Sequence, residues 1–287
     1  MPGGWTFPRL RWKTWPHAIR LTAMTQTSAP YDDDLQTPDG RLFLRLWPMP
    51  GDRAPILLFH DSLGSVELWR SFPAHLAQRT GRGIIAYDRL GFGRSDPRKA
   101  LPGPDFIADE ARSIVPLICR HLGLTRFIAC GHSVGGGMAI ETAAQEPERC
   151  IALLTIAAQA QNEARTKAGV RQAREDFRDP AALSRLHRYH GEKSRWVVDA
   201  WTESWLSDAF ADWNLSQTIA RVPCPTLALH GELDEYGSAR NAALIARAPQ
   251  GRMKILPGVG HVPHRDHQAL LLDEITAFLR QLPDEGQ

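Results

Sequence analysis

The chain has 287 residues, 43% of them apolar and 23% charged, which excludes wholesale disorder and allows one large domain or two small ones. A formal net charge of +2 is too even for a nucleic-acid-binding or polybasic membrane-surface protein. No stretch approaches the ~20 uninterrupted apolar residues of a membrane helix.

Residues 1–31 contain Arg9, Arg11, Lys13 and Arg20 but no acidic side chain, and Pro2, Pro8, Pro16 and Pro30 interrupt them. The segment lacks the apolar run of a secretory signal. It is expected to be a poorly ordered extension outside the fold, with Met24 as the working start.

From Thr37 onward strands alternate with helices. Pro38-Asp39-Gly40 is a turn, followed by Leu42, Leu44 and Leu46 at period-two spacing. Short unbroken apolar runs follow at 56–59, 83–87, 127–130, 151–156 and 226–229. Such runs suit strands buried on both faces of a parallel sheet. Helices are expected over 106–121, strained at Pro116, and over 138–145 and 269–279. The fold class is therefore α/β, a mostly parallel central sheet flanked by helices. The core should comprise 32–158 and 220–287. Residues 159–219 carry no strand-like run and are expected to form a helical cap inserted between the sixth and seventh strands. That segment holds Trp196, Trp201, Trp205 and Trp213, most of which are expected to fasten the cap rather than touch a ligand.

The four cysteines, Cys119, Cys130, Cys150 and Cys224, form no C-x-x-C pair and complete no zinc pattern with histidine. They read as buried free thiols of a cytoplasmic protein, and neither a metal nor another cofactor is expected.

The sharpest motif is Gly131-His132-Ser133-Val134-Gly135, between an apolar run and a helix. A tight strand-to-helix turn forces its central residue into an unfavourable backbone conformation and demands small neighbours two residues away. Gly131 and Gly135 meet that demand, while Gly136 and Gly137 would let the helix approach the sheet. Ser133 would then sit at a helix amino terminus, where unpaired N–H groups favour developing negative charge.

A serine hydroxyl needs a base. Of eleven histidines, His261 in Gly258-Val259-Gly260-His261 stands after the last strand-like run, on the sheet edge expected for Ser133. His264 and His267 are read as surface residues, and His132 as pointing away from the base's position. The base needs a carboxylate to hold its tautomer. Asp234, in His230-Gly231-Glu232-Leu233-Asp234, is best placed, ahead of Glu232 and Glu235. The alternative loop after the sixth strand, Ala157-Ala158-Gln159-Ala160, has no carboxylate. Oxyanion donors are expected at the backbone N–H of Val134 and in the loop His60-Asp61-Ser62-Leu63-Gly64-Ser65, from Leu63 or Ser62, with Leu63 preferred.

Together these motifs resemble the α/β-hydrolase superfamily over about Thr37 to Leu282. Asp88-Arg89-Leu90-Gly91-Phe92-Gly93-Arg94-Ser95 is similar to the family's structural turn after the fourth strand. The oxyanion loop departs from the usual His-Gly pair and resembles that of 3-oxoadipate enol-lactonases. A serine nucleophile makes haloalkane dehalogenase or epoxide hydrolase chemistry unlike this chain. The resemblance implies a cofactor-free serine hydrolase that forms an acyl-enzyme on a small ester or lactone. C–C hydrolase, perhydrolase, acyltransferase and small-molecule receptor functions use the same framework.

Overall fold

The computed structural model describes residues 29–283. The proposed extension and Met24 lie almost wholly outside the described residues. Eight strands form one sheet in the order β1-β2-β4-β3-β5-β6-β7-β8. They are β1 (Tyr31–Thr37), β2 (Gly40–Trp47), β3 (Ile56–Phe59), β4 (Ile84–Tyr87), β5 (Phe127–His132), β6 (Cys150–Ile156), β7 (Thr226–Gly231) and β8 (Gly251–Leu256). β2 pairs antiparallel with both β1 and β4, and every other pairing is parallel. The strands read from continuous apolar runs are indeed buried on both faces: β3, β4, β5 and β7 contain no exposed position.

The chain begins in the sheet earlier than its pattern suggests. β1 has the sequence Tyr-Asp-Asp-Asp-Leu-Gln-Thr, whose three aspartates give it no strand-like apolar pattern. Its partners supply what the pattern lacks. Arg45 and Arg94 reach Asp32, and Arg41 reaches Asp34, at 2.6–2.7 Å across an edge that water can also solvate.

Helices cover both faces: α1 (Phe72–Thr80), α2 (Phe106–Asp109), α3 (Val115–Leu122) and α4 (Val134–Gln145), then α9 (Ala239–Ile245), α10 (Pro263–Asp266) and α11 (Gln268–Leu279), with α5 to α8 described below. Between α2 and α3 the backbone widens into a π turn, Glu110–Ile114, just before Pro116, whose ring nitrogen has no hydrogen to donate to the preceding turn. The sheet separates two apolar cores. Leu44, Tyr87, Phe127 and Met138 lie in one. Phe43, Trp69, Phe72 and Phe278 lie in the other. Each fully buried side chain of this size contributes roughly 1.5–3 kcal/mol. All four cysteines are buried and unpaired.

Between β6 and β7 run α5 (Ala164–Asp176), α6 (Pro180–His190), α7 (Ser194–Leu206) and α8 (Ser216–Ile219). A bridge between Gln161 and Asn214 joins the two ends of this excursion, and Leu215 N–H donates to Ala160 O at 2.8 Å. Among the described residues no helix is long and apolar enough to cross a membrane.

The order of strands creates the site. From β3 the chain crosses to β4 on one side and later to β5 on the other, so the loops after β3 and β5 diverge. A crevice opens at their carboxyl ends.

Candidate active site

Ser133 occupies the single residue between β5 and α4, with φ 56° and ψ −125°. That left-handed conformation costs a non-glycine residue about 1–3 kcal/mol. The flanking chain leaves no slack. A Cβ on Gly131 would lie 2.0 Å from Gly135 O, and one on Gly135 would lie 2.2 Å from Phe59 O. Gly137 is less constrained, since its Cβ would meet only ordinary contacts from 3.4 Å outward.

The three side chains singled out after β5, β7 and β8 meet. His261 Nε2 lies 3.1 Å from Ser133 Oγ, and His261 Nδ1 lies 2.9 Å from Asp234 Oδ2. Asp234 is itself anchored, its Oδ1 accepting from Tyr236 N–H at 2.8 Å and Gly237 N–H at 2.9 Å. Burial opposes its negative charge. The His261 hydrogen bond and imidazole charge, with the Gly237 amide, outweigh that and hold the carboxyl below its ordinary range. His230 Nε2 stands 3.4 Å from the same carboxylate, on the opposite side from the solvent. Glu232 and Glu235, the weaker acid candidates, instead receive backbone N–H groups from Gly258 and His261.

The loop expected to supply an oxyanion donor, residues 60–65, folds back on itself, with Gly64 N–H donating to Asp61 O at 3.2 Å. Leu63 N–H donates to Asp61 Oδ1 at 3.1 Å and is therefore engaged within its own turn. Both Ser62 and Leu63 line the cavity beside Ser133. The Asp61 carboxyl is also held below its ordinary range: burial works against it, but His132, whose Nδ1 is 3.3 Å away, more than compensates. His60 is held within its loop, donating from Nδ1 to Asp61 O and accepting Arg89 N–H at Nε2.

Two histidine readings change. His132 Nε2 donates to the carbonyl of His261 at 2.8 Å, so it supports the base's backbone from below. His264 is not a surface residue. It is 2% exposed and packs against Trp69 and His132, with ring centroids 4.8 and 4.7 Å apart. The preceding Pro263 starts a helix whose first turn points inward, which an unaligned sequence does not reveal. His267 is exposed as expected.

Ser133 opens into a cavity of about 230 Å³, lined by Leu68, Val170, Leu186, Trp201, Trp205, Tyr236 and Val262 among others. Polar groups are few and converge near Ser133: Asp61, Ser62, Gln159 and His261, with Thr166 and Arg265 further out. Two of the four tryptophans of the inserted helices thus face the cavity, whereas Trp213 stacks on Phe210 and Trp196 packs on Phe92. Gln159 and Tyr236 were not singled out from sequence. Both lie in loops at the carboxyl ends of strands, which is the one signal that could have marked them. Among the described residues no group of three or more His, Cys, Asp or Glu is arranged to hold a metal ion.

A mostly parallel sheet with its single reversed strand, a strained serine after β5 and histidine after β8 define the class. The model of the alpha/beta hydrolase fold family matches residues 54–268, and the chain belongs to that family. It is 24% identical over 251 residues to a non-heme haloperoxidase of Rhodococcus erythropolis, covering 77% of this chain and 89% of that one. A thermophilic esterase from Thermogutta terrifontis superposes with a TM-score of 0.67 at 20% identity, covering 89% of this chain and 99% of the other. The enol-lactonase of Burkholderia xenovorans LB400 gives the same TM-score at 18% identity, with 87% and 100% coverage.

Proposed function

We propose that the protein hydrolyses a small carboxylic ester or lactone through an acyl-enzyme on Ser133. The observation that carries this reading is the unbroken hydrogen-bond chain from Asp234 through His261 to Ser133, ending at an apolar cavity. Asp234 holds the His261 Nδ1 proton, which leaves Nε2 free to accept. Ser133 Oγ attacks the carbonyl carbon as its proton passes to His261 Nε2. The oxyanion is received by backbone N–H groups of Val134, at the start of α4, and of Ser62, because the Leu63 amide is already engaged. His261 then protonates the departing alkoxide, and water completes the cycle. The substrate is a small molecule with an apolar acyl or alcohol part that fits between Trp201, Trp205 and Val170. No nucleic acid or membrane partner is needed.

The test compares wild type with Ser133→Ala on short-chain nitrophenyl esters, with a fluorophosphonate probe to tag the nucleophile. We expect a loss of at least about a thousandfold and no tagging of the variant. Retention of most activity would remove Ser133 from its role.

The relative from Rhodococcus erythropolis favours one second reading, in which hydrogen peroxide replaces water as acceptor of the acyl group and a peracid is released. Peracid formation that outruns ester hydrolysis at millimolar peroxide would distinguish it.

A further inference from the structure

Gln159 takes no part in the steps above, yet it touches the nucleophile. Its Oε1 lies 3.0 Å from Ser133 Oγ, and the side chain is 3% exposed. The approach is built from several directions. Ala157, at φ 48°, turns the chain sharply as β6 ends. Gly136 admits the following residue, since a Cβ there would stand 2.3 Å from Ala158 Cβ. Beyond Gln159, the N–H groups of Ala160 and Gln161 both donate to Asn241 Oδ1, at 2.9 and 3.3 Å. Asn241 in turn donates to Glu163, whose carboxylate accepts from the amide and hydroxyl of Ser238.

Two acceptors therefore face one hydroxyl. With its Nδ1 proton given to Asp234, His261 presents a bare Nε2 at 3.1 Å, and Gln159 presents its carbonyl oxygen at 3.0 Å. Ser133 has a single proton and satisfies one of them at a time. Once Ser133 is acylated its oxygen has no proton, and both acceptors lose their donor. An unsatisfied buried acceptor is costly. Water is the small nucleophile that carries two donor hydrogens.

We propose that Gln159 positions the water that cleaves the acyl-enzyme, a role that rests on the Ser133 reading above. One O–H of that water points to His261 Nε2 and the other to Gln159 Oε1, which leaves a lone pair directed at the acyl carbon. Its oxygen bonds to that carbon as the first proton passes to His261. The carbon–Oγ bond then breaks with its electron pair to Oγ, which recovers the proton from His261. The acid leaves, and the second hydrogen departs with it. Acylation needs no such second acceptor, because there the nucleophile has only one proton to place. Gln159 thus separates the two half-reactions.

The experiment uses the full chain with p-nitrophenyl acetate, comparing wild type with Gln159→Met. In Gln159→Met we expect a burst of nitrophenol equal to the enzyme present, followed by turnover slowed about 10–100-fold. KM falls in parallel, so kcat/KM stays within about threefold of wild type. Methanol has one O–H and needs only His261. In Gln159→Met the ratio of methyl acetate to acetate should therefore rise by the same factor as kcat falls. An unchanged ratio, or a kcat/KM that falls as far as kcat, overturns the role of Gln159. If mass spectrometry finds acetylated Ser133 in those samples, the acyl-enzyme reading survives that loss. If Ser133 is acetylated in neither wild type nor variant, the acyl-enzyme reading itself falls and takes this proposal with it.

Discussion

Replacing His190 separates two contributions that one imidazole makes to the inserted helices. At the end of α6, its Nδ1 accepts Gly93 N–H at 2.9 Å and its Nε2 donates to Leu63 O at 3.0 Å. Both bonds need the neutral ring, and the residue is 2% exposed. Burial is the main reason its pKa falls from 6.5 to about 4. The folded protein therefore resists a proton that the unfolded chain accepts. Because the folded value is the lower one, stability is fully present above pH 6.5 and is lost as pH falls from there towards 4. At 1.36 kcal/mol per unit, the whole descent is worth about 3 kcal/mol, and about 2 kcal/mol is gone by pH 5. Gln at this position can accept from Gly93 and donate to Leu63 without titrating. We expect His190→Gln to lose about 1–2 kcal/mol at pH 7.5 through poorer geometry and lost packing on Phe92. Between pH 7.5 and 5 it should then lose about 2 kcal/mol less than wild type. Urea unfolding followed by tryptophan fluorescence at half-unit pH steps measures both curves. His230 and His264, which burial also pushes down, titrate in both proteins and cancel in the difference. Parallel curves would show that His190 exchanges protons freely in the folded protein, and the linkage argument would fail.

Three further outcomes follow from the geometry around Ser133. Ser133→Gly should unfold about 1 kcal/mol less readily than wild type while losing activity, because glycine accepts the φ of 56° without strain; a calorimetric midpoint equal to or below that of wild type contradicts this. Gly135→Ala should reduce activity by at least about a hundredfold and lower the midpoint. Its Cβ meets the backbone oxygens of Phe59 and His60 and pushes the oxyanion loop away; esterase rates and a thermal scan check both. Asp234→Asn should cost about three to four decades in kcat near neutral pH, since an amide no longer selects the His261 tautomer; a loss under tenfold would move the acid elsewhere.

Much of this architecture was legible because burial on both faces forces strand sequences to be continuously apolar. β3, β4, β5 and β7 stand where those runs lie. The strained turn at Ser133 was legible because its steric demand is written as Gly131 and Gly135. Other features depend on partners distant in sequence. β1 is a strand because Arg41, Arg45 and Arg94 answer its aspartates, and no local pattern carries that information. His264 is buried because Trp69 and Phe72 arrive from 190 residues away. Whether Asp61 folds back onto the Leu63 amide is likewise a choice that composition leaves open.

The inserted helices are tied to the loops that carry the chemistry rather than to the sheet beneath. His190 holds the carbonyl of Leu63, on the oxyanion loop. Lys193 donates to the carbonyls of Gly93 and Ser95, in the turn whose Arg89 holds Asp61 O at 2.7 Å. Arg165 donates to the carbonyl of Asp234 at 3.0 Å, and Thr166 to that of Tyr236 at 2.7 Å. Such contacts give the insertion two functions at once. It supplies Trp201 and Trp205 as walls, and it ties the loop 60–65 and the loop carrying Asp234 to one body. A shift of about 1 Å in either loop costs catalysis far more than it costs folding. Substitutions at His190 or Arg165 should therefore lower kcat before they lower cavity affinity, and the order of those losses distinguishes positioning from simple enclosure.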